Sequence, residues 1–209
     1  MMKKKLRASL GTLIAILLTV SLALNAFAAA IGHAVYRDLD SNNDFLRDQG
    51  HAGIVYQCSG STPAIIIHHP GGFLLESSHI EKVTFNEFKY PDSNSSLNYY
   101  GSYYRPGATV YTQIVTLADT LCENYNITYV FNRQLSLKWS VNTIVDRIEP
   151  VDILSIRCDG LVEYCYEYHG IQLLGSSTHW NISNPDHYTS HVGLLSHTPK
   201  AQRDLLTPS

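Results

Sequence analysis

The sequence is poor in charge and in cysteine. Asp, Glu, Lys and Arg make up only 16% of its 209 residues, with 15 cations against 18 anions. A protein that binds nucleic acid through the phosphates needs a strongly cationic face, which this acidic balance does not supply. Four cysteines are too few for a disulfide scaffold, and the closest pair, Cys158 and Cys165, lacks the spacing of a metal knuckle. We therefore expect no nucleic-acid partner, no metal and no cofactor.

Long apolar runs are missing as well, apart from one near the N-terminus. The run Leu10–Leu24 follows four early cations and ends in Ala26-Phe27-Ala28, the pattern of a signal peptide (residues 1–28) that is cleaved after Ala28. An uncleaved N-terminal anchor is the alternative. Cleavage leaves 181 residues with a formal charge of −7, the size of one domain with no further membrane span. We expect a bacterial monomer, secreted or held in the cell envelope outside the cytoplasmic membrane.

The first half of the mature chain has the pattern of β-strands. Residues 51–56 and 64–68 are rich in β-branched side chains and flank a turn at 59–63, which predicts an antiparallel hairpin. Residues 73–75 and 82–85 are candidates for further strand.

Two polar stretches are predicted to be loops. Residues 91–102 are rich in Ser, Asn and Gly. Residues 38–44 resemble the start of a calcium loop, but Asn43 and Gln49 stand where a glycine and a bidentate glutamate are needed. We therefore predict a solvated loop there.

Two helices are predicted in the second half. Residues 109–125 carry one apolar face, formed by Val110, Ile114, Leu117, Leu121 and Tyr125. Residues 158–169 carry a second apolar stripe, and Gly170 follows in the usual C-terminal place. Strands and helices segregate along the chain, which favours the α+β class. The predicted layout is a domain over residues 29–182 followed by a polar C-terminal extension over residues 183–209.

Cys158 is the residue that points most directly to chemistry. It opens the second predicted helix, where free backbone N–H groups and the helix dipole stabilise a thiolate. The same N–H groups can hold the oxyanion of an acyl-transfer intermediate, and Arg157 adds positive potential. A structural role is the alternative, because free cysteine is often a small buried hydrophobe.

A thiol nucleophile also needs a base and a group that orients the base. His51 begins a predicted strand and precedes two small residues, which leave room for another element to approach. His68 ends the paired strand and is the candidate orienting residue. His69 has the opposite pleat parity, so at most one of His68 and His69 faces His51.

These segments resemble the motifs of the NlpC-type papain-like cysteine hydrolases. Residues 158–166, Cys-Asp-Gly-Leu-Val-Glu-Tyr-Cys-Tyr, are similar to the C-S-G-L-V-x-x-x-Y nucleophile helix of that family. Residues 51–56 resemble its H-V-G-I-Y strand, and residues 66–72 resemble the I-H-A-x-G segment that supplies the third polar residue. The order His, His, Cys resembles the circularly permuted YaeF/YiiX-like branch and the lecithin retinol acyltransferase-like enzymes. Asp159 stands where the family commonly has serine, and the third residue of the branch is often glutamate.

The resemblance implies an antiparallel, strongly bent sheet packed against the nucleophile helix. It implies a cysteine hydrolase that cleaves an amide, such as a peptidoglycan stem peptide, with Cys158 as nucleophile, His51 as base and His68 as orienting residue. Tyr129 is a candidate for a substrate-side hydroxyl. The alternatives are a lipid amide or ester hydrolase or acyltransferase of the permuted branch, and a non-catalytic exported binding domain with the same fold.

The four cysteines leave one further alternative, a disulfide-stapled structural protein. In an exported chain, Cys58, Cys122, Cys158 and Cys165 allow three pairings into two bridges. Two cysteines seven residues apart on one helix stand about 10 Å apart, which is too far to bridge. At least one of Cys158 and Cys165 therefore needs a partner elsewhere or another role.

Overall fold

The computed structural model describes residues 31–40, 49–71, 78–93, 96–131, 134–138, 148–173 and 198–209. The predicted signal peptide (1–28), the candidate strand at 73–75 and most of the acidic stretch 38–44 lie outside the described residues. Within the described ranges, none of the helices combines the length and the apolar character that a membrane span needs.

The described residues form a mixed α+β structure, as the sequence predicts. Strands and helices are numbered in chain order. The strands are β1 (Ala34–Arg37), β2 (His51–Ser59), β3 (Thr62–His68), β4 (Glu81–Thr84), β5 (Tyr99–Tyr104), β6 (Thr128–Tyr129), β7 (Leu135–Leu137), β8 (Ile153–Ile156) and β9 (Thr207–Pro208). The helices are α1 (Phe85–Lys89), α2 (Tyr111–Asn124), α3 (Cys158–Glu167) and α4 (Pro199–Arg203).

An antiparallel sheet of six strands in the order β4-β3-β2-β1-β5-β9 makes up the main body. Its central hairpin, β2 and β3, is the predicted one, and its register places Gly53 opposite His68 and Ile54 opposite Ile67. The β-branched side chains of this hairpin are buried on both faces of the sheet, which suits their stiff χ1 angles and stabilises the pleated surface.

The two faces of the sheet pack against different elements. Ala52, Ile54 and Ile67 belong to the main core with the buried faces of α2 and α3. Val55 and Ile66 lie on the other face, in a smaller cluster around Phe88 of α1 together with Val35. Because alternate residues of a strand point to opposite faces, neighbours on β2 and β3 contribute to different clusters.

The prediction of a loop over residues 91–102 is wrong for its last part. Tyr99–Tyr104 is strand β5, which pairs with β1 and with β9. The Ser- and Asn-rich composition describes the residues before β5, whereas the tyrosines themselves favour extended structure. A register shift at Tyr36 and Arg37 and the positive φ of Gly101, +111°, accommodate the irregular pairing.

Both predicted helices are present. The long one, α2, begins two residues after its predicted start and buries Ile114, Leu117 and Leu121 on the predicted face. The second, α3, begins at Cys158 as predicted, and Gly170 follows it with a φ of +80°, a conformation that suits glycine. Strand β8 lies in a small second sheet, in the order β6-β8-β7, and leads through Arg157 directly into α3.

The last described residues, 198–209, pack into the same body. Helix α4 contacts β1, β2 and α3, and β9 pairs with β5 at the edge of the main sheet. Gln202 is completely buried, where it accepts a hydrogen bond from Tyr36 Oη at 3.0 Å and donates one to the carbonyl oxygen of Asp159 at 3.0 Å. This part of the C-terminal segment therefore supports the first turn of α3.

Candidate active site

Cys158 lies at the meeting point of the two sheets. Strand β8 carries it to the first position of α3, and α3 packs on β2. The backbone amides of Ala52, in β2, and of Asp159 lie close enough to its sulfur to favour the thiolate and lower the pKa of the thiol. The N-cap residue, Arg157, makes no side-chain capping bond, so the first turn of α3 keeps backbone donors for an anionic partner. Cys158 has only 3% of its surface exposed.

The structure brings the two predicted histidines together. His51 Nε2 and His68 Nδ1 are 2.8 Å apart, and both rings are buried. The register of β2 and β3 produces this pair, because His51, Gly53 and His68 share one face of the sheet. Gly53 lies between them, where a Cβ would stand 2.6 Å from Ile66 Cγ2. Its small size is needed for packing within the sheet. The sequence pattern predicts a different reason, room for another element to approach.

His69 takes a different position, as its pleat parity predicts. Its Nε2 atom lies 3.3 Å from the carbonyl oxygen of Ile127, and its ring packs edge-on against Tyr129. His68 is therefore the histidine that partners His51.

Glu81 extends the histidine pair by one residue, and the sequence analysis missed it. His68 and Glu81 are directly opposed on β3 and β4, and His68 Nε2 lies 3.4 Å from Glu81 Oε1. The two atoms are close enough to interact electrostatically but are not aligned for a regular hydrogen bond.

A carboxylate at Glu81 selects one arrangement of protons. It favours the His68 tautomer with the proton on Nε2, so Nδ1 of His68 accepts the proton of His51 Nε2. Nδ1 of His51 is then the unprotonated nitrogen, which is the form a general base needs.

No hydrogen bond joins His51 to Cys158 in this structure. Nδ1 of His51 is buried and has no hydrogen-bond partner, while the backbone of Ala52, the next residue in the chain, lies beside the Cys158 sulfur. Cys158 and His51 are thus linked through the backbone of β2, and the His51 ring packs against Phe88. Catalytic hydrogen bonds are often long or unaligned in ligand-free structures, and this one has to form during a reaction.

The ionisation of the site differs from the stabilised thiolate that the sequence predicts. Burial, reinforced by the Asp159 carboxylate, raises the pKa of the Cys158 thiol to about 12. Burial also lowers the pKa of His51 well below its usual range, and the Arg37 charge adds to this effect. Cys158 and His51 are therefore both uncharged at neutral pH.

Asp159, which stands where the NlpC-type motif commonly has serine, is neutralised by its neighbours. Arg157 binds it in a bidentate manner, with Nε 2.6 Å from Oδ1 and Nη2 2.8 Å from Oδ2. Gln134 Nε2 donates to Asp159 Oδ2 at 2.8 Å and to Glu163 Oε2 at 2.7 Å. A Cβ on Gly160 would overlap the backbone of Gln134, so the glycine permits this close approach. The network fixes the geometry of the first turn of α3.

Tyr129 lies beside the site. The charge of a Cys158 thiolate, and that of Asp159, act on its phenol, so the ring is within electrostatic range of the nucleophile. Its ring occupies the space that a side chain at position 71 would fill, which explains Gly71. The tyrosine is nine-tenths buried, which leaves its role as a substrate-side hydroxyl a prediction.

All four cysteines are free thiols in the structure, and Cys158 and Cys165 are buried. The disulfide-stapled alternative therefore finds no support in the folded arrangement. Among the residues that the structure describes, no cluster of three or more His, Cys, Asp or Glu side chains could hold a metal ion.

Comparisons with known proteins do not place the chain in a family: no family model, no curated protein and no solved structure matches it.

Proposed function

We propose that this protein is an exported, papain-like cysteine hydrolase of the circularly permuted type, which cleaves an amide or ester through Cys158, His51 and His68. The observation that carries the proposal is the pair of buried histidines 2.8 Å apart, placed by the sheet register next to the strand residue that contacts the Cys158 sulfur. A buried pair of this kind costs desolvation energy, which a purely structural role does not require.

The chemistry follows from the proton arrangement. Nδ1 of His51 removes the thiol proton of Cys158 as the sulfur attacks the acyl carbon, and the carbonyl oxygen becomes an oxyanion. Backbone N–H groups in the first turn of α3 stabilise that oxyanion. His51 then gives the proton to the leaving nitrogen or oxygen, and a thioester remains on Cys158. Water, deprotonated by His51, hydrolyses the thioester and restores the thiol.

His68 acts on His51 rather than on the substrate. Its Nδ1 atom accepts the Nε2 proton of His51 and so keeps Nδ1 of His51 free as a base. The negative charge of Glu81, 3.4 Å from Nε2, favours the tautomer of His68 that carries its proton on that nitrogen. When His51 becomes positively charged during catalysis, His68 and Glu81 stabilise that charge.

An activated ester tests the nucleophile without knowledge of the natural substrate. With p-nitrophenyl acetate, we expect a burst of p-nitrophenol and an acetyl group on the peptide that contains Cys158, located by mass spectrometry. Cys158→Ala and His51→Gln should abolish the burst. Cys165→Ala is the matched control, because it removes a second buried thiol from the same helix and should keep the burst. A burst that survives in Cys158→Ala refutes the proposal and leaves the non-catalytic binding domain as the better description.

A further inference from the structure

Arg37 is a buried cation at the site that the sequence analysis did not single out. It ends strand β1 directly opposite His51 of β2, so both side chains lie on the same face of the sheet. Its guanidinium lies over the ring of Phe88, 5.3 Å from the centroid, and the His51 ring lies against the same phenylalanine. Electrostatic interaction links Arg37 to Cys158, His51 and His68.

The guanidinium is largely without partners. Arg37 is 4% exposed, its Nη1 atom donates to the carbonyl oxygen of Asp38 at 2.6 Å, and its buried Nε atom has no hydrogen-bond partner. In the part of the chain that the structure describes, no carboxylate forms an ion pair with it. The nearest one in sequence, Asp38, instead accepts hydrogen bonds from Asn98 and Tyr100.

Several charged or titratable groups lie around Arg37. Arg157 and Asp159 neutralise each other, and His51 and His68 are neutral because burial lowers the pKa of both rings. Burial also lowers the pKa of Arg37 to about 10, so the guanidinium stays charged at neutral pH. The charges of Asp38 and Asp40 stabilise the guanidinium from a distance, but its Nε donor stays buried and unpartnered, which costs free energy.

We propose that Arg37 binds a carboxylate of the substrate, so that the enzyme acts on acyl compounds that carry an anionic group close to the scissile bond. This inference rests on the proposed function, because it places the carboxylate beside the nucleophile Cys158. A guanidinium recognises a carboxylate through charge-assisted hydrogen bonds, and its unpartnered Nε supplies one of the donors.

The test compares two alkylating reagents of nearly equal size, anionic iodoacetate and neutral iodoacetamide. The rate constant of each is measured at Cys158 by peptide mass spectrometry, and the ratio of the two is compared with that of free cysteine. The ratio cancels any change in the thiol itself. We expect the wild-type ratio to exceed the free-cysteine ratio, and Arg37→Gln to reduce it roughly tenfold, the effect of one charge-assisted hydrogen bond. The ratio in Arg37→Lys should lie between the ratios of wild type and Arg37→Gln.

The control is Arg105→Gln, which removes an arginine that bonds only the carbonyl oxygen of Leu205 among the described residues and should leave the ratio unchanged. Circular dichroism establishes that each variant is folded. A second measurement needs no variant: succinate should slow the alkylation of wild-type Cys158 by iodoacetamide, and neutral succinamide should not.

The possible outcomes separate the two proposals. A wild-type ratio equal to that of free cysteine, unchanged in Arg37→Gln and without protection by succinate, overturns the carboxylate proposal and leaves the nucleophile intact. Failure of both reagents to modify Cys158 in the folded protein overturns both proposals, since a thiol that no small molecule reaches cannot attack a substrate.

Discussion

Replacing Asp159 by asparagine should affect stability and reactivity in opposite directions. The carboxylate is completely buried, and its partner Arg157 has only 6% of its side chain exposed. The substitution leaves the guanidinium of Arg157 as a buried charge without its counterion, although the amide oxygen can still accept the hydrogen bond from Gln134. Breaking a buried pair from one side costs about 3–5 kcal/mol. For a domain of this size, that corresponds to a Tm lower by about 6–20 °C.

The reactivity of Cys158 should rise in the same variant. After burial, the Asp159 carboxylate is the largest cause of the raised pKa of the thiol, and Arg157 opposes it. Removal of the carboxylate therefore lowers the pKa of Cys158 toward its usual range. Alkylation by iodoacetamide, followed from pH 6 to pH 10, should therefore be faster at each pH than in wild type.

The matched control is Asp204→Asn, which breaks the pair with Arg203. Asp204 is 61% exposed, so its loss should change the free energy of unfolding by less than about 1 kcal/mol. Urea titrations of the three proteins give the comparison. The assignment of this pair to the first turn of α3 is refuted if Asp159→Asn loses no more unfolding free energy than the control. It is also refuted if the alkylation rate of Cys158 does not rise.

Substitutions at three further positions test separate parts of the site. Gly160→Ala places a methyl group against the Gln134 backbone and should cost about 1–3 kcal/mol in urea unfolding, with a simultaneous loss of the p-nitrophenyl acetate burst. His68→Leu removes the acceptor for the His51 proton and should slow acylation about 10²-fold or more. His68→Gln can still accept that proton and should retain more of the acylation rate. Equal rates in the two variants would contradict the orienting role. Burial and the neighbouring Glu167 raise the pKa of Glu163 well above its usual range, so its contribution to stability is present below the usual glutamate pKa and is lost as the pH rises through the folded-state value. Glu163→Gln, which mimics the protonated form, should therefore equal wild type near pH 4 and exceed it in unfolding free energy at pH 8.

The local elements of this structure were predictable because their signals are local. Alternating β-branched residues indicate the β2–β3 hairpin, and an apolar stripe that begins at Cys158 indicates α3. Pleat parity was enough to show that only one of His68 and His69 faces His51. The choice of His68, and its distance to His51, depends on the strand register, which the sequence does not specify.

Glu81 and Arg37 were not predictable for the same physical reason. Each reaches the site as a cross-strand neighbour, Glu81 opposite His68 and Arg37 opposite His51. A strand that slips by one residue would turn these side chains to the opposite face. The signal that could have found Arg37 is an arginine within an otherwise apolar strand, since buried charge is uncommon and tends to mark functional sites.

The position of Gln202 has a consequence for the order in which the molecule folds. Tyr36 and Gln202 are 166 residues apart in the chain, and the carbonyl of Asp159 receives its donor from the same glutamine. Contacts this distant in sequence form late, because a long loop must close before they contribute. During synthesis, the first turn of the nucleophile helix therefore lacks its final support until the C-terminal residues emerge. A chain that stops short of α4 should therefore hold Cys158 less firmly at the start of α3.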